Sequence, residues 1–346
     1  MSRAVVAVAG LVGLAALALV TWAVPHLIND YFVRVLIVMC VNGVLVASLS
    51  IANGFTGVFS LGHVGFVAIG AYVSGVLAVP LASKTILYQD LPGFLGTTQL
   101  DPFTAILVGA LAAAAAGAVL APALGRLSGL SAALATFAML VIVYVVARNY
   151  EPVTRGTKGM LGVPIETTVW TAALWALVIL AVVFVFQNSR IGLQLRAARE
   201  DDVAATAAGI RIGRLRGVAL VLSAFLVGLA GGVYGQQLGS FNPDVFYLDL
   251  TFLTLAMLVV GGVNSLSGAV IGALVLSLLS QVLRDVESAV GRPGLTEVSF
   301  ALITILILVL RPSGITGGKE LGVPARLLPM RLRRPRTDSA PSRPPG

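Results

Sequence analysis

The stretch NGFTGVFSLGHVGFVAIGAYVSG, residues 53–75, decides how this chain is read. It is apolar enough to sit in a membrane, yet it carries glycine at 54, 57, 62, 65, 70 and 75, together with Ser60, His63 and Tyr72. Lipid tails are as apolar as leucine, so spanning helices associate through close packing of small residues rather than through a hydrophobic drive. Glycine also lets a helix unwind, and unwound backbone at membrane depth survives only where protein or a water-filled cavity surrounds it. Discontinuous helices of this kind line substrate paths in transporters. Gly57, Ser60, Gly62, His63, Phe66, Gly70 and Tyr72 are therefore candidates for a broken element beside a permeation path. The plainer alternative is a tight helix crossing with no solute contact.

The rest of the chain has the same character. Of 346 residues, 58% are hydrophobic and 11% charged, against about 25% charged in soluble domains. Apolar runs fall at 4–24, 33–52, 61–81, 103–121, 129–147, 168–186, 217–238, 250–263, 266–283 and 298–310. Spanning hydrocarbon takes roughly 20 residues, so several runs are short. The expected fold is an all-α polytopic membrane protein with about ten transmembrane helices, some broken or re-entrant. The pair meeting at Gly261 and Gly262 reads either as two spans or as one broken helix with a re-entrant piece. The first run reads as a span rather than a signal peptide, because TWAVP at 21–25 is a poor cleavage site.

Charge placement predicts orientation. The loop at 188–216 holds Arg190, Arg196, Arg199, Arg211, Arg214 and Arg216, and eight more cations follow the last run. With Arg3 and Arg126 these make 16 of the 23 Lys and Arg residues, and ten spans place all of them on one side. The positive-inside rule makes that side the cytoplasm, with both termini there. Residues 1–311 then form the transmembrane domain, with 188–216 as a cytoplasmic loop. The Arg-, Pro- and Ser-rich tail at 312–346 reads as disordered, its cations a solvated determinant of topology first and a contact for anionic membrane lipid as the alternative. A net charge of +8 without a basic, aromatic-interleaved soluble stripe does not indicate nucleic acid.

A second stretch, GGVNSLSGAVIGALVLS at 261–277, echoes the first: Gly-Val-x-Ser-Leu-small begins at Gly57 and again at Gly262. It adds Gly261, Gly262, Ser265 and Gly268 to the candidate path. His63 is ionisable within a span and is by default a functional candidate. The alternative is a neutral imidazole bonded to a backbone carbonyl. In the arginine-rich loop, LRAAREDDVAATAAG at 195–209 predicts a short helix stopped at Gly209. Its alanines allow close backbone approach to a partner's groove, and Arg196, Arg199, Glu200 and Asp201 would steer the encounter.

No phosphate-binding loop is present, since Gly317-Gly318-Lys319 is followed by Glu320 and lacks the upstream glycine. Neither H-E-x-x-H nor G-x-S-x-G occurs. Cys40 is the single cysteine, and the two histidines, His26 and His63, lie far apart. The residues thus describe a non-enzymatic membrane protein without a cofactor or metal site of its own. An ion-coupled secondary transporter is the alternative to a powered one, but Asp244, Asp249, Asp285 and Glu287 lie at the edges of runs.

Five motifs carry a family resemblance: N-G-x-T-G-x-x-S-L-G-H-x-x-F-x-x-I-G-A-Y at 53–72, T-x-G-x-x-G-x-x-G-V-P at 154–164, S-R-x-G-x-x-L-R-A-x-R-E-D-x-x-A-A-x-x-x-G-I at 189–210, S-A-F-x-x-G-L-A-G at 223–231 and G-G-x-x-S-L-x-G at 261–268. Together they resemble the permease subunits of ATP-binding-cassette importers for branched-chain amino acids, of the LivM type. The resemblance implies a bacterial inner-membrane subunit that conducts solute without powering transport. It implies a sister permease of the LivH type, two ATPase subunits carrying ATP and Mg, and a periplasmic or lipid-anchored solute-binding protein. It makes Arg196, Arg199, Glu200, Asp201, Ala204, Ala205 and Gly209 the helix that docks in an ATPase cleft. Arg155 and Lys158 depart from the pattern, where relatives often carry glycine or serine and aspartate or asparagine. Similar permeases handle urea, short amides and aromatic acids, so the solute is less specified than the subunit class.

Overall fold

Why the apolar runs from residue 33 onward become a bundle with two distinct ends is set by where each helix is allowed to stop. The computed structural model describes residues 30–317 apart from Val58, Gln89 and Pro312. The first run at 4–24, Arg3, His26 and the tail beyond Gly317 lie outside the described residues. The helices are α1 (Asp30–Ser50), α2 (His63–Ala78), α3 (Leu81–Leu87), α4 (Gly93–Thr97), α5 (Pro102–Leu124), α6 (Gly129–Asn149), α7 (Val169–Gln187), α8 (Arg190–Glu200), α9 (Asp202–Ala207), α10 (Ile212–Leu238), α11 (Leu248–Gly261), α12 (Leu266–Val290) and α13 (Leu295–Leu310). Single helical turns join some of them. Between Met160 and Phe241 lies one isolated antiparallel bridge, and the described residues contain no other strand pairing.

Caps fix several ends. The Asp101 carboxylate accepts the Phe103 N–H, with Pro102 at the first helical position of α5. Thr168 and Thr171 form a reciprocal capping box at α7. Pro80 follows α2 and helps turn the chain through 108° into α3.

Seven of the described helices are long and apolar enough to cross a membrane, or eight if α2 and α3 form one bent span. The segment Pro243–Gly261, which contains α11, and α12 each qualify separately, so the break at Gly261 and Gly262 joins two spans rather than interrupting one. α13 has 16 residues, about 24 Å at 1.5 Å per residue, which is short of the roughly 30 Å hydrocarbon core.

α10 is the central helix, packed against α1, α2 and α5. Three backbones meet where α2, α5 and α10 cross. A Cβ on Gly70 would lie 2.2 Å from the Gly228 carbonyl oxygen, and one on Gly109 would lie 2.5 Å from that of Gly70. No other residue fits such a crossing without displacement, which is how small residues hold spans together. α11, α12 and α13 form a second cluster with α1 around Val46, Leu49, Met257, Leu258 and Leu276. The clusters are tied by buried polar bonds: Asn42 Nδ2 donates to Ser277 Oγ at 2.9 Å, and Ser223 Oγ donates to the Ser48 carbonyl at 2.9 Å.

The loops sort to two ends. One end gathers the breaks after α1 and α11, the α5–α6 turn and the arginine-rich loop, with Gly125 against Gly213 and Gly54 against Val263. The opposite end gathers the segments around Tyr88, Leu161 and Phe241. This grouping matches the alternation inferred from charge. Residues 313–317, assigned above to the tail, turn back onto α11. There Ile315 N–H donates to the Val260 carbonyl at 2.8 Å and Thr316 Oγ1 to that of Gly261 at 2.8 Å.

Candidate coupling and gating site

The quoted stretch divides into two parts with different structural roles. α1 ends in a π-helical turn, Ile51–Phe55, and the described residues between it and His63 are non-helical. A wide turn inside a span is a common mark of a functional site. Asn53, 5% exposed, clamps this loop from both sides: its Nδ2 donates to the Ser60 carbonyl and its Oδ1 accepts the Ser60 N–H, each at 3.1 Å. The Leu61 N–H donates to Thr136 Oγ1 at 3.1 Å, and a Cβ on Gly62 would lie 2.2 Å from the Thr136 carbonyl oxygen. Gly57 takes φ +68°, which a side chain rarely adopts.

His63 begins α2 and is buried. Its Nδ1 lies 2.7 Å from Ser60 Oγ, so its partner is a hydroxyl three residues back rather than the backbone carbonyl considered above. The Nε2 atom has no partner among the described residues. The adjacent cavity, lined by Thr56, Ser60, His63, Thr136 and Arg216 among others, is only about 30 Å³.

The arginine-rich loop lies against this break. Gly192, Leu195 and Ala198 form the buried face of α8. Arg199 Nη1 donates to the Gly54 carbonyl at 2.6 Å, and the Arg199 side chain fills the space where a Cβ of Gly57 would sit, 2.7 Å from its Cγ. The Arg196 guanidinium stands 4.8 Å over the Phe55 ring, with Nη2 donating to Gln187 Oε1 at 3.3 Å. Phe55 is 1% exposed, so this is a desolvated cation–π contact.

The single helix expected over 195–209 is instead two. Asp201 leaves helical geometry at φ −153°, ψ 102°, and its carboxylate accepts the N–H groups of Val203 and Ala204, capping α9. Aspartate is among the strongest N-caps, so it ends one helix by starting the next. Gly209, at φ +82°, closes the segment as expected. Ala205 faces the protein, whereas Glu200, Asp201, Val203, Ala204, Ala207 and Ala208 are exposed.

The second motif shares letters with the first and also forms a break, but its helix starts differently. Ser265 Oγ accepts the Gly268 N–H at 3.0 Å to cap α12, whereas Ser60 Oγ meets the His63 ring and α2 starts after Gly62 without a side-chain cap. Gly262 has φ +122° in the position of Gly57. A Cβ on Gly261 would lie 2.0 Å from the Gly268 carbonyl oxygen. The two breaks touch, since a Cβ on Gly54 would lie 2.5 Å from the Val263 carbonyl oxygen.

The structure thus brings Gly57, Ser60, Gly62 and His63 to the same end as Gly261, Gly262, Ser265 and Gly268. Phe66, Gly70 and Tyr72 do not join them. Phe66 is 1% exposed and Gly70 lies in the helix crossing, while Tyr72 packs edge-to-face on Phe241 towards the opposite end. Asn53, Gly54, Phe55 and Thr136 complete the site and were not among the sequence candidates. Asn53 opens the first motif, but nothing in the sequence singles out Thr136.

At the opposite end Arg155 has φ +60° and its guanidinium stands 5.5 Å over Tyr88. The Tyr88 hydroxyl donates to the Leu161 carbonyl at 2.9 Å, and burial raises its pKa above the usual range.

Comparison with known proteins places the sequence in a family. A family model described as branched-chain amino acid transport system / permease component matches residues 31–310. The chain is 24% identical over 336 residues to the high-affinity branched-chain amino acid transport system permease protein LivM of Escherichia coli (strain K12), covering 87% of this chain and 74% of that one. It is 34% identical over 158 residues to LivH of the same strain, covering 44% of this chain and 49% of that one. To BraD of Pseudomonas aeruginosa it is 32% identical over 146 residues, covering 42% and 46%. The chain therefore belongs to the branched-chain amino acid transport system permease family, its resemblance being of the LivM type.

Proposed function

We propose that this chain is the permease subunit of an ATP-binding-cassette importer carrying branched-chain or related small amino acids inward across the bacterial inner membrane. Two separate ATPase subunits power it, a LivH-type sister permease completes the pore, and a periplasmic or lipid-anchored binding protein delivers solute. The arginine-rich end faces the cytoplasm and both termini lie there. The exposed face of α8 and α9, with Glu200, Asp201, Ala204 and Gly209, enters an ATPase cleft.

The observation that carries this reading is the seating of α8 on the α1 break through Arg199 and Gly54. A movement imposed on α8 from outside reaches the end of a spanning helix directly, through the Arg199–Gly54 hydrogen bond and the Arg196–Phe55 contact. The cavity beside His63, about 30 Å³, is far below the roughly 300–1,000 Å³ of small-molecule sites. That favours a solute path completed by the sister subunit over one enclosed in this chain.

The test is reconstitution in vesicles with and without the ATPase subunits. Uptake of a branched-chain amino acid should require ATP, and Glu200→Lys combined with Gly209→Pro should abolish solute-stimulated ATP hydrolysis while membrane insertion persists. Uphill accumulation driven by an ion gradient without nucleotide would overturn the reading.

A further inference from the structure

We infer that the membrane-facing groove between α5 and α10 binds one acidic phospholipid, its phosphate held by Arg126 and Arg214 and an acyl chain laid along the helices. The groove is about 800 Å³ and open on one side. Its walls are Ala114, Ala118 and Ala121 from α5 and Val218, Val221 and Phe225 from α10. Small residues on one wall and larger apolar ones on the other make a channel with no polar side chain along its membrane depth.

The charge sits at one mouth only. Arg126 follows the end of α5 by two residues, and Arg214 lies in the first turn of α10. The backbones there are in contact, a Cβ on Gly125 lying 2.5 Å from the Gly213 carbonyl oxygen. The two arginines, each next in sequence to one of these glycines, therefore flank the same opening, where both helices leave the apolar layer. Both are exposed, and neither guanidinium has a hydrogen-bond or ion-pair partner among the described residues. Arg216, two positions on, is instead neutralised by Asp202 at 3.3 Å. No acidic side chain lines the groove.

Two free guanidiniums over an apolar channel match a lipid with an anionic head and a hydrocarbon tail. Basic pockets between spanning helices at the membrane surface hold such headgroups, and guanidinium is the cation best shaped for bidentate phosphate contact. A helix of a second permease would fill the channel equally well, but would need its own anions against Arg126 and Arg214.

The full chain, purified in its native complex, can be titrated with phosphatidylglycerol or phosphatidylcholine of equal chain length, with retained lipid read by native mass spectrometry. Phosphatidylglycerol should be retained at least tenfold better. Arg126→Gln with Arg214→Gln should erase that preference, whereas Arg292→Gln, exposed outside the groove, should not. A photoreactive residue at Val218 in native membranes should yield an adduct of lipid mass. The proposal is overturned by a preference that survives the double substitution, by no preference at all, by absence of a lipid adduct, or by an adduct with a second permease polypeptide.

Discussion

Arg199 Nη1 donates to the carbonyl oxygen of Gly54 at 2.6 Å, joining two residues 145 positions apart in the chain. The bond ties the loop helix α8 to the π turn at which α1 ends. It also supplies a partner to a backbone oxygen that the irregular turn leaves outside an ordinary helical ladder.

Arg199→Ala should therefore uncouple rather than unfold. A charge-assisted hydrogen bond contributes about 1.5–3 kcal/mol, and each 1.36 kcal/mol is about tenfold in rate. Solute-stimulated ATP hydrolysis in the assembled complex should drop tenfold or more, with subunit assembly on size exclusion unchanged. Arg199→Lys should recover little, because an ammonium lacks the guanidinium's fixed fork. Full stimulation in Arg199→Ala would remove this bond from the coupling path.

Asn53→Leu should release the loop between α1 and α2. Both Ser60 backbone groups lose their side-chain partner, at about 1–3 kcal/mol for each group left unpaired. Hydrogen exchange at residues 56–62 should speed up and uptake should fall. Unaltered exchange would mean that Thr136 alone holds the loop.

Asp201→Ala should fray α9 without disturbing α8. Loss of the cap costs about 1 kcal/mol and exposes the Val203 and Ala204 amides to exchange, while Asp201→Asn keeps an acceptor and most of the protection. Equal exchange in the two variants would show that α9 stands without its cap.

Gly70→Ala and Gly43→Ala form a matched pair. A Cβ at 70 would strike the Gly228 backbone, whereas one at 43 meets nothing within 4 Å. Overpacking costs about 1–3 kcal/mol, so the thermal midpoint of Gly70→Ala should fall. Gly43→Ala should hold or rise, since alanine is the better helix former by about 1 kcal/mol. Similar midpoints would mean that the three-helix crossing yields easily.

Much of this was legible in the letters because hydrocarbon is an unforgiving solvent. Nine of the ten apolar runs correspond to helices, and the run at 4–24 lies outside the described residues. The glycines at 57, 62 and 70 read alike as candidates for a broken element, with a tight crossing as the alternative, and the letters alone could not separate the two uses. That separation needs the neighbour: Thr136 at Gly62 and Gly228 at Gly70. The division at Asp201 was hidden because its flanks are strong helix formers and the cap competes only through geometry. Gly54 and Phe55 escaped notice because their role depends on two arginines about 140 positions away.

The contact between Gly54 and Val263 has a consequence for how such a protein can move. Two kinks that share a wall cannot swing separately: tilting the lower end of α1 must shove the α11–α12 corner or be blocked by it. A single push from the loop is thereby divided between four spanning helices, and opening becomes one concerted stroke.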